Sequence, residues 1–107
     1  SDVYKRQILL VGDMKELGED SLKCHQQVGE HAKQAKLDLV LSYGIESAVI
    51  SEAVLGKHFT DKAELTAYAL DIIKQKLQEN QKVVVLAKGS RSMKMEETIY
   101  SLKDSLC

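Results

Sequence analysis

Short apolar runs alternate with longer segments of helical period along this chain, four of each. Such alternation is typical of βα units, in which helices join parallel strands and cover the sheet they form. The predicted strands comprise residues 7–12, 38–42, 57–60 and 82–87. The predicted helices comprise residues 21–36, 46–55, 62–80 and 92–106. The sequence therefore predicts an α/β unit with a mostly parallel sheet.

Three of the predicted strands contain continuous β-branched or leucine-rich runs, at residues 8–11, 39–41 and 83–86. Runs of this kind are expected in strands that are buried on both faces, whereas the strand at 57–60 is weak. In open parallel sheets, ligands bind beyond the carboxyl ends of the strands. The candidate site loops are therefore residues 12–20, 43–46 and 88–91.

Length and charge restrict the classes of function. A chain of 107 residues fits one domain, and it has no apolar run near the length of a membrane span. Fifteen basic and sixteen acidic residues give a net charge of −1, so we expect neither nucleic acid nor anionic lipid as a partner. Cys24 and Cys107 are far apart and lack metal-ligand spacing, which indicates a cytoplasmic protein with reduced thiols.

The loop after the last predicted strand combines two cations with two hydroxyl groups. It reads Lys88-Gly89-Ser90-Arg91-Ser92 and leads directly into a predicted helix. The free N–H groups and dipole of a helix start favour phosphate or carboxylate, and Arg91 could bind a carboxylate through two parallel hydrogen bonds. The glycine spacing of a Walker A loop is absent. We favour an anion site here over a capped helix with solvated charges.

The loop after the first strand contains Asp13 and Glu16 between two glycines. These carboxylates could hold a metal-bound water, a ribose hydroxyl or a substrate amine, and a turn with exposed acids fits the residues equally well. His25 lies on the apolar face of the first helix, where a hydrogen-bonded packing role is expected. His31 and His58 are predicted to be surface residues, and Gly56 to end the second helix.

Three segments together carry a family resemblance. They read Val11-Gly12-Asp13-Met14-Lys15-Glu16-Leu17-Gly18-Glu19, then His25 followed by Val28-Gly29, and finally Ala87-Lys88-Gly89-Ser90-Arg91-Ser92-Met93-Lys94-Met95-Glu96. In order and spacing they resemble the C-terminal domain of the Mur ligases, over about residues 8–107. More narrowly, they resemble the type that adds D-alanyl-D-alanine.

The resemblance implies a Rossmann-like three-layer domain of an amide ligase in peptidoglycan precursor synthesis. It implies ATP and Mg²⁺ as cofactors, bound mainly by domains absent here, and UDP-MurNAc-tripeptide and D-Ala-D-Ala as substrates. Lys88, Gly89, Ser90, Arg91 and Ser92 match a substrate-binding loop, and Asp13 and Glu16 would line the same cleft. No catalytic residue or metal ligand is assigned to this chain, so we expect it to be inactive without the N-terminal and central domains.

The resemblance does not extend to residues 1–7, which we expect to be an extraneous or unmatched leader to a domain truncated at its N-terminal edge. Two other interpretations are open. One is a sister Mur ligase with another amino-acid substrate, and the other is a free-standing α/β module that binds an anion or a protein.

Overall fold

The computed structural model describes residues 5–107 as strands and helices in alternating order. The strands are β1 (Lys5–Gly12), β2 (Leu39–Tyr43), β3 (Gly56–Phe59) and β4 (Lys82–Lys88). The helices are α1 (Ser21–Gln34), α2 (Ala48–Glu52), α3 (Lys62–Gln78) and α4 (Glu96–Leu106), with short 3₁₀ turns at Gly18–Asp20 and Arg91–Met93. The predicted α/β class is confirmed. No helix within residues 5–107 is long and apolar enough to cross a membrane.

The strands form one sheet in the order β3-β2-β1-β4, and every pair in the described part of the chain is parallel. β1 is central, since Ile8 is in register with Leu39 of β2 and with Val85 of β4. Parallel pairing places all four carboxyl ends at one edge of the sheet. The loops that follow β1, β2 and β4 therefore lie side by side at that edge.

Two apolar layers pack on opposite faces of the sheet, because successive side chains of a strand point to opposite sides. Ile8 and Leu10 belong to one cluster, with side chains of α3 and α4. Leu9 and Val11 belong to the other cluster, with side chains of α1 and α2. Both neighbours of β1 in the sheet contribute apolar side chains as well. The result is the expected three-layer arrangement of helices, sheet and helices.

The prediction that the β4 run is buried on both faces was wrong. Side chains of β4 alternate between half-buried and exposed positions along the whole strand. Val83, Val85 and Ala87 pack against the α3 and α4 layer, whereas Val84 and Leu86 are 38% and 49% exposed on the other face. β4 forms the edge of the sheet, and α1 and α2 pack on β1 and β2 instead. The apolar run therefore reflects a strand with one face uncovered in this chain.

Two predicted boundaries also differ from the structure. The second helix ends at Glu52, and Gly56 begins β3 rather than ending that helix. β1 begins at Lys5, which pairs with Lys82 of β4, so residues 5–7 belong to the sheet. The rest of the predicted leader, residues 1–4, lies outside the described residues. The boundary between leader and domain stays a prediction.

Candidate functional site

The loops that follow β1 and β4 interlock at the carboxyl edge of the sheet. The Ser90 N–H donates to the carbonyl oxygen of Asp13 at 3.0 Å, and the Lys15 N–H donates to the Ser90 hydroxyl at 2.7 Å. Gly89 has a φ of +149°, and a Cβ at this position would lie 3.1 Å from the backbone of Gly12. A glycine is therefore needed where the two chain segments cross. This crossing fixes two segments against each other. We call residues 88–93 the 88–93 turn and residues 13–18 the 13–18 loop.

The 88–93 turn presents its cations to solvent. Lys88, Arg91 and Ser92 are exposed, and none of their side chains has a hydrogen-bond or ion-pair partner among residues 5–107. Lys88 and Arg91 line one end of an open groove of about 420 Å³ along the outer edge of β4, with Tyr100 of α4 further along it. Ser90 accepts from Lys15, and its own hydroxyl proton has no acceptor in the described part of the chain. Two unpaired cations and a free donor suit an anionic ligand.

The predicted helix start at residue 92 was wrong. Arg91–Met93 form a 3₁₀ turn, Lys94 adopts a left-handed conformation with φ of +49°, and α4 begins only at Glu96. The N–H groups of Met93 and Lys94 are bonded within the turn, to the carbonyl oxygens of Ser90 and Arg91. α4 therefore begins beyond this loop rather than within it. The cations that the loop presents to an anion are the exposed side chains of Lys88 and Arg91.

Asp13 is completely buried beneath the same edge, where its carboxylate joins the loops after β1 and β2. It accepts hydrogen bonds from the N–H groups of Ile45 and Ser47 at 2.8 Å each and of Glu46 at 3.1 Å. The Lys15 ammonium lies 3.4 Å from one carboxylate oxygen. Burial by itself raises the pKa of Asp13, but the N–H donors of Ile45, Ser47 and Glu46 outweigh burial and lower that pKa to about 2. The carboxylate is thus charged and holds the loop after β2 in place.

Glu16 lies in a different cavity from the two cations. It has a φ of +64° and is exposed beside Gly18, Ile45 and Glu46 in a cleft of about 260 Å³. The structure therefore separates the predicted site residues into three positions: cations in the groove along β4, a buried Asp13, and Glu16 in the cleft between the loops after β1 and β2.

The histidines differ in their surroundings. His25 is fully buried and hydrogen-bonded, as predicted, and His31 is exposed. The prediction of a surface position for His58 was wrong, since its ring bridges the Ser42 hydroxyl and the Gly44 carbonyl at 2.7 Å each. The sequence signal that could have indicated this is the polar Ser42 at the end of an otherwise apolar strand, because a buried hydroxyl needs a partner.

Within residues 5–107 no group of three or more His, Cys, Asp or Glu side chains could hold a metal ion. The Asp13 carboxylate, which faces the sheet edge, is already saturated by backbone donors. The chemically active groups of this arrangement are the side chains of Lys88 and Arg91, which the hydrogen-bonded loops hold in place.

A model of the Mur ligase glutamate ligase domain matches residues 1–91 of the sequence. This chain belongs to the Mur ligase family. Among curated relatives, UDP-N-acetylmuramoyl-tripeptide–D-alanyl-D-alanine ligase of Haemophilus influenzae is 65% identical over 99 residues, and its Escherichia coli counterpart is 46% identical over 99 residues. Both alignments cover 92% of this Mur ligase chain but only 22% and 21% of the relatives. The chain thus spans about a fifth of their length.

Solved structures of Mur ligases have the same fold. A crystal structure of MurF from Acinetobacter baumannii superposes with a TM-score of 0.80 at 26% identity, covering 91% of this Mur ligase chain and 21% of that protein. MurF from Thermotoga maritima, solved in complex with ADP, gives a TM-score of 0.73 at 27% identity, covering 97% and 23%. The Rossmann-like fold expected from the resemblance is confirmed.

Proposed function

We propose that this chain forms the C-terminal part of an ATP-dependent ligase that adds D-Ala-D-Ala to UDP-MurNAc-tripeptide in cytoplasmic peptidoglycan precursor synthesis. The 65% identity to the Haemophilus influenzae ligase supports this substrate pair over that of a sister ligase. The structural observation that carries the proposal is the exposed pair Lys88 and Arg91, held on a rigid turn with no partner among residues 5–107. UDP-MurNAc-tripeptide and ATP are anions, and D-Ala-D-Ala presents a carboxylate.

The proposed reaction has two steps. The terminal phosphoryl group of ATP is transferred to the terminal carboxylate of the tripeptide, which leaves ADP and an acyl phosphate. The amine of D-Ala-D-Ala then attacks the acyl carbon and an amide bond forms. Inorganic phosphate leaves with the electrons of the broken C–O bond and takes up the proton that the nitrogen loses. Lys88 and Arg91 would bind either the dipeptide carboxylate or the phosphoryl group in transfer, since both present oxygen atoms in the geometry that a guanidinium binds.

The remaining site residues would act around this pair. The free hydroxyl proton of Ser90 and the exposed Ser92 would donate to the same anion, and Gly89 keeps the turn close to the sheet. Asp13 would act indirectly, by holding the loop after β2 in place. Glu16 would face a binding partner across the cleft between the loops after β1 and β2. Because the described residues do not fit a metal site, we assign Mg²⁺ and the adenine nucleotide mainly to the N-terminal and central domains of the whole ligase.

A chimera tests the proposal. The matching 99-residue segment of the Haemophilus influenzae ligase is replaced by the corresponding residues of this chain, and ADP release is measured with and without D-Ala-D-Ala. We expect dipeptide-dependent ADP release, and Arg91→Ala to lower kcat/KM by about 10- to 100-fold, since hydrogen bonds to charged groups contribute about 1.5–3 kcal/mol. Lys74→Ala, an exposed lysine on α3, is the matched control and should leave kcat/KM unchanged.

The kinetic constants separate the two possible anions. A raised KM for D-Ala-D-Ala with unchanged kcat would place Arg91 on the dipeptide carboxylate, whereas a lowered kcat with unchanged KM would place it on the transferring phosphoryl group. Full activity of Arg91→Ala would contradict the assigned role. Tight binding of a nucleotide by the 107-residue chain alone, measured by isothermal titration calorimetry, would favour a free-standing binding module instead.

A further inference from the structure

His25 contacts the 13–18 loop with one ring nitrogen and its own helix with the other. The ring is fully buried. Its Nε2 atom lies 3.0 Å from the backbone nitrogen of Met14, and its Nδ1 atom lies 2.7 Å from the carbonyl oxygen of Ser21. The ring thus joins α1 to the second residue after β1.

These two partners determine where the ring proton lies. The Met14 N–H can only donate, so Nε2 must be the acceptor, and the Ser21 carbonyl can only accept, so Nδ1 must carry the proton. His25 is therefore a neutral imidazole with its proton on Nδ1. A side chain that fills the same space without an acceptor at the Nε2 position would leave the Met14 N–H unpaired in a partly buried position, which costs stability.

Met14 lies between two residues that hydrogen-bond to Ser90, the residue that precedes the cation Arg91. The neighbouring Lys15 N–H donates to the Ser90 hydroxyl, and the neighbouring Asp13 carbonyl accepts from the Ser90 N–H. Ser90 precedes Arg91 directly. Backbone groups of three successive residues, Asp13, Met14 and Lys15, thus hydrogen-bond to residues outside the 13–18 loop. The bonds of Asp13 and Lys15 go to Ser90 and hold the 88–93 turn.

We propose that His25 is a positioning residue for the ligase reaction: through Met14 it fixes the 13–18 loop, and through Ser90 that loop fixes the position of Arg91. The expected effect of His25 on the reaction rests on the proposed function, whereas the expected effect of His25 on the 13–18 loop does not. A histidine that only packed in the core would stabilise the domain without determining the geometry of the turn.

A pair of amide substitutions separates positioning from packing. In His25→Gln the side-chain amide reaches about as far as Nε2 and can still accept from Met14, whereas in His25→Asn it reaches only about as far as Nδ1. In the chimera we expect His25→Asn to lower kcat/KM by about 3- to 10-fold, the equivalent of one lost hydrogen bond, through the same kinetic constant that Arg91→Ala alters. His25→Gln should keep most of the native kcat/KM. His31→Asn, an exposed change on the same helix, is the matched control.

Two measurements on the full 107-residue chain need no enzyme activity. Hydrogen exchange of the Met14 amide should accelerate in His25→Asn and stay slow in His25→Gln and His31→Asn. In the unsubstituted chain, long-range ¹⁵N–¹H correlation spectra should show the ring proton of His25 on Nδ1, which needs no variant to fold. A proton on Nε2, or equal Met14 exchange in the Asn and Gln variants, would overturn the inference. An inactive chimera with native His25 would instead count against the proposed function alone.

Discussion

Asp13→Asn should destabilise the domain at neutral pH by an amount that the pKa of Asp13 predicts. The carboxyl pKa is 3.8 in the unfolded chain and about 2 in the folded one. At about 1.4 kcal/mol per pH unit, this difference corresponds to about 2.5 kcal/mol of folding free energy at pH 7. Asparagine keeps the shape but loses the charge. Its amide N–H₂ replaces one carboxylate oxygen, so it would face either the N–H group of Ile45 or the N–H groups of Glu46 and Ser47.

The stability that Asp13 contributes depends on pH in a defined direction. Because the folded pKa is the lower one, the contribution is complete well above pH 3.8 and is lost as the pH falls towards 2. About half of it, roughly 1.3 kcal/mol, remains at pH 3. Urea unfolding of the chain, followed by circular dichroism between pH 7 and pH 3, measures this curve for the native and Asp13→Asn proteins.

The two unfolding curves should therefore converge as the pH is lowered. Asp71→Asn, an exposed change on α3, is the control and should differ from the native protein by less than about 0.5 kcal/mol throughout. Equal stabilities of native and Asp13→Asn protein at pH 7 would refute the reasoning. So would a constant difference between them at every pH, since it would mean that the charge of Asp13 contributes nothing.

Two further changes test the backbone crossing and the edge strand. Gly89→Ala should lower the free energy of unfolding by about 1–3 kcal/mol, which is more than Gly18→Ala should. The reason is that a Cβ at Gly89 meets the Gly12 backbone, while one at Gly18 meets open space. Urea unfolding midpoints compare the two variants, and equal losses would contradict the close approach of Gly89 to Gly12. In the same urea experiments, Leu86→Thr on the uncovered face of β4 should lower the free energy of unfolding by less than about 1 kcal/mol, whereas Leu41→Ala in the core should lower it by about 2–5 kcal/mol. Comparable losses at both leucines would show that β4 is covered.

Much of the fold could be predicted from the sequence because the relevant signals are local. A continuous run such as residues 8–11 supplies apolar side chains to both faces of a strand, and helical periodicity places residues of α1 and α3 on one face. β4 shows where this reasoning fails. Its apolar run is as long and continuous as that of β1. Burial of both faces, however, depends on which helices pack there, and that depends on strand order.

The candidate site was predicted in part. The sequence indicated the cations at Lys88 and Arg91, because the loop follows a strand and ligands bind at such ends. It did not indicate that the Asp13 carboxylate is enclosed by backbone N–H groups more than thirty residues away, or that Glu16 faces another cleft. No spacing rule relates these residues, since their contacts form only when β1 and β2 pair.

By itself, the sequence determined the α/β class and the family, and it indicated the residues proposed to bind an anion. Only the tertiary structure decided how those residues are held: Ser90 is bonded to the 13–18 loop, Asp13 is buried beneath it, His25 is bonded to Met14, and α4 starts beyond the turn. The physical reason is that apolar periodicity acts within a segment. A hydrogen bond between two loops requires the sheet to bring the ends of its strands to one edge first.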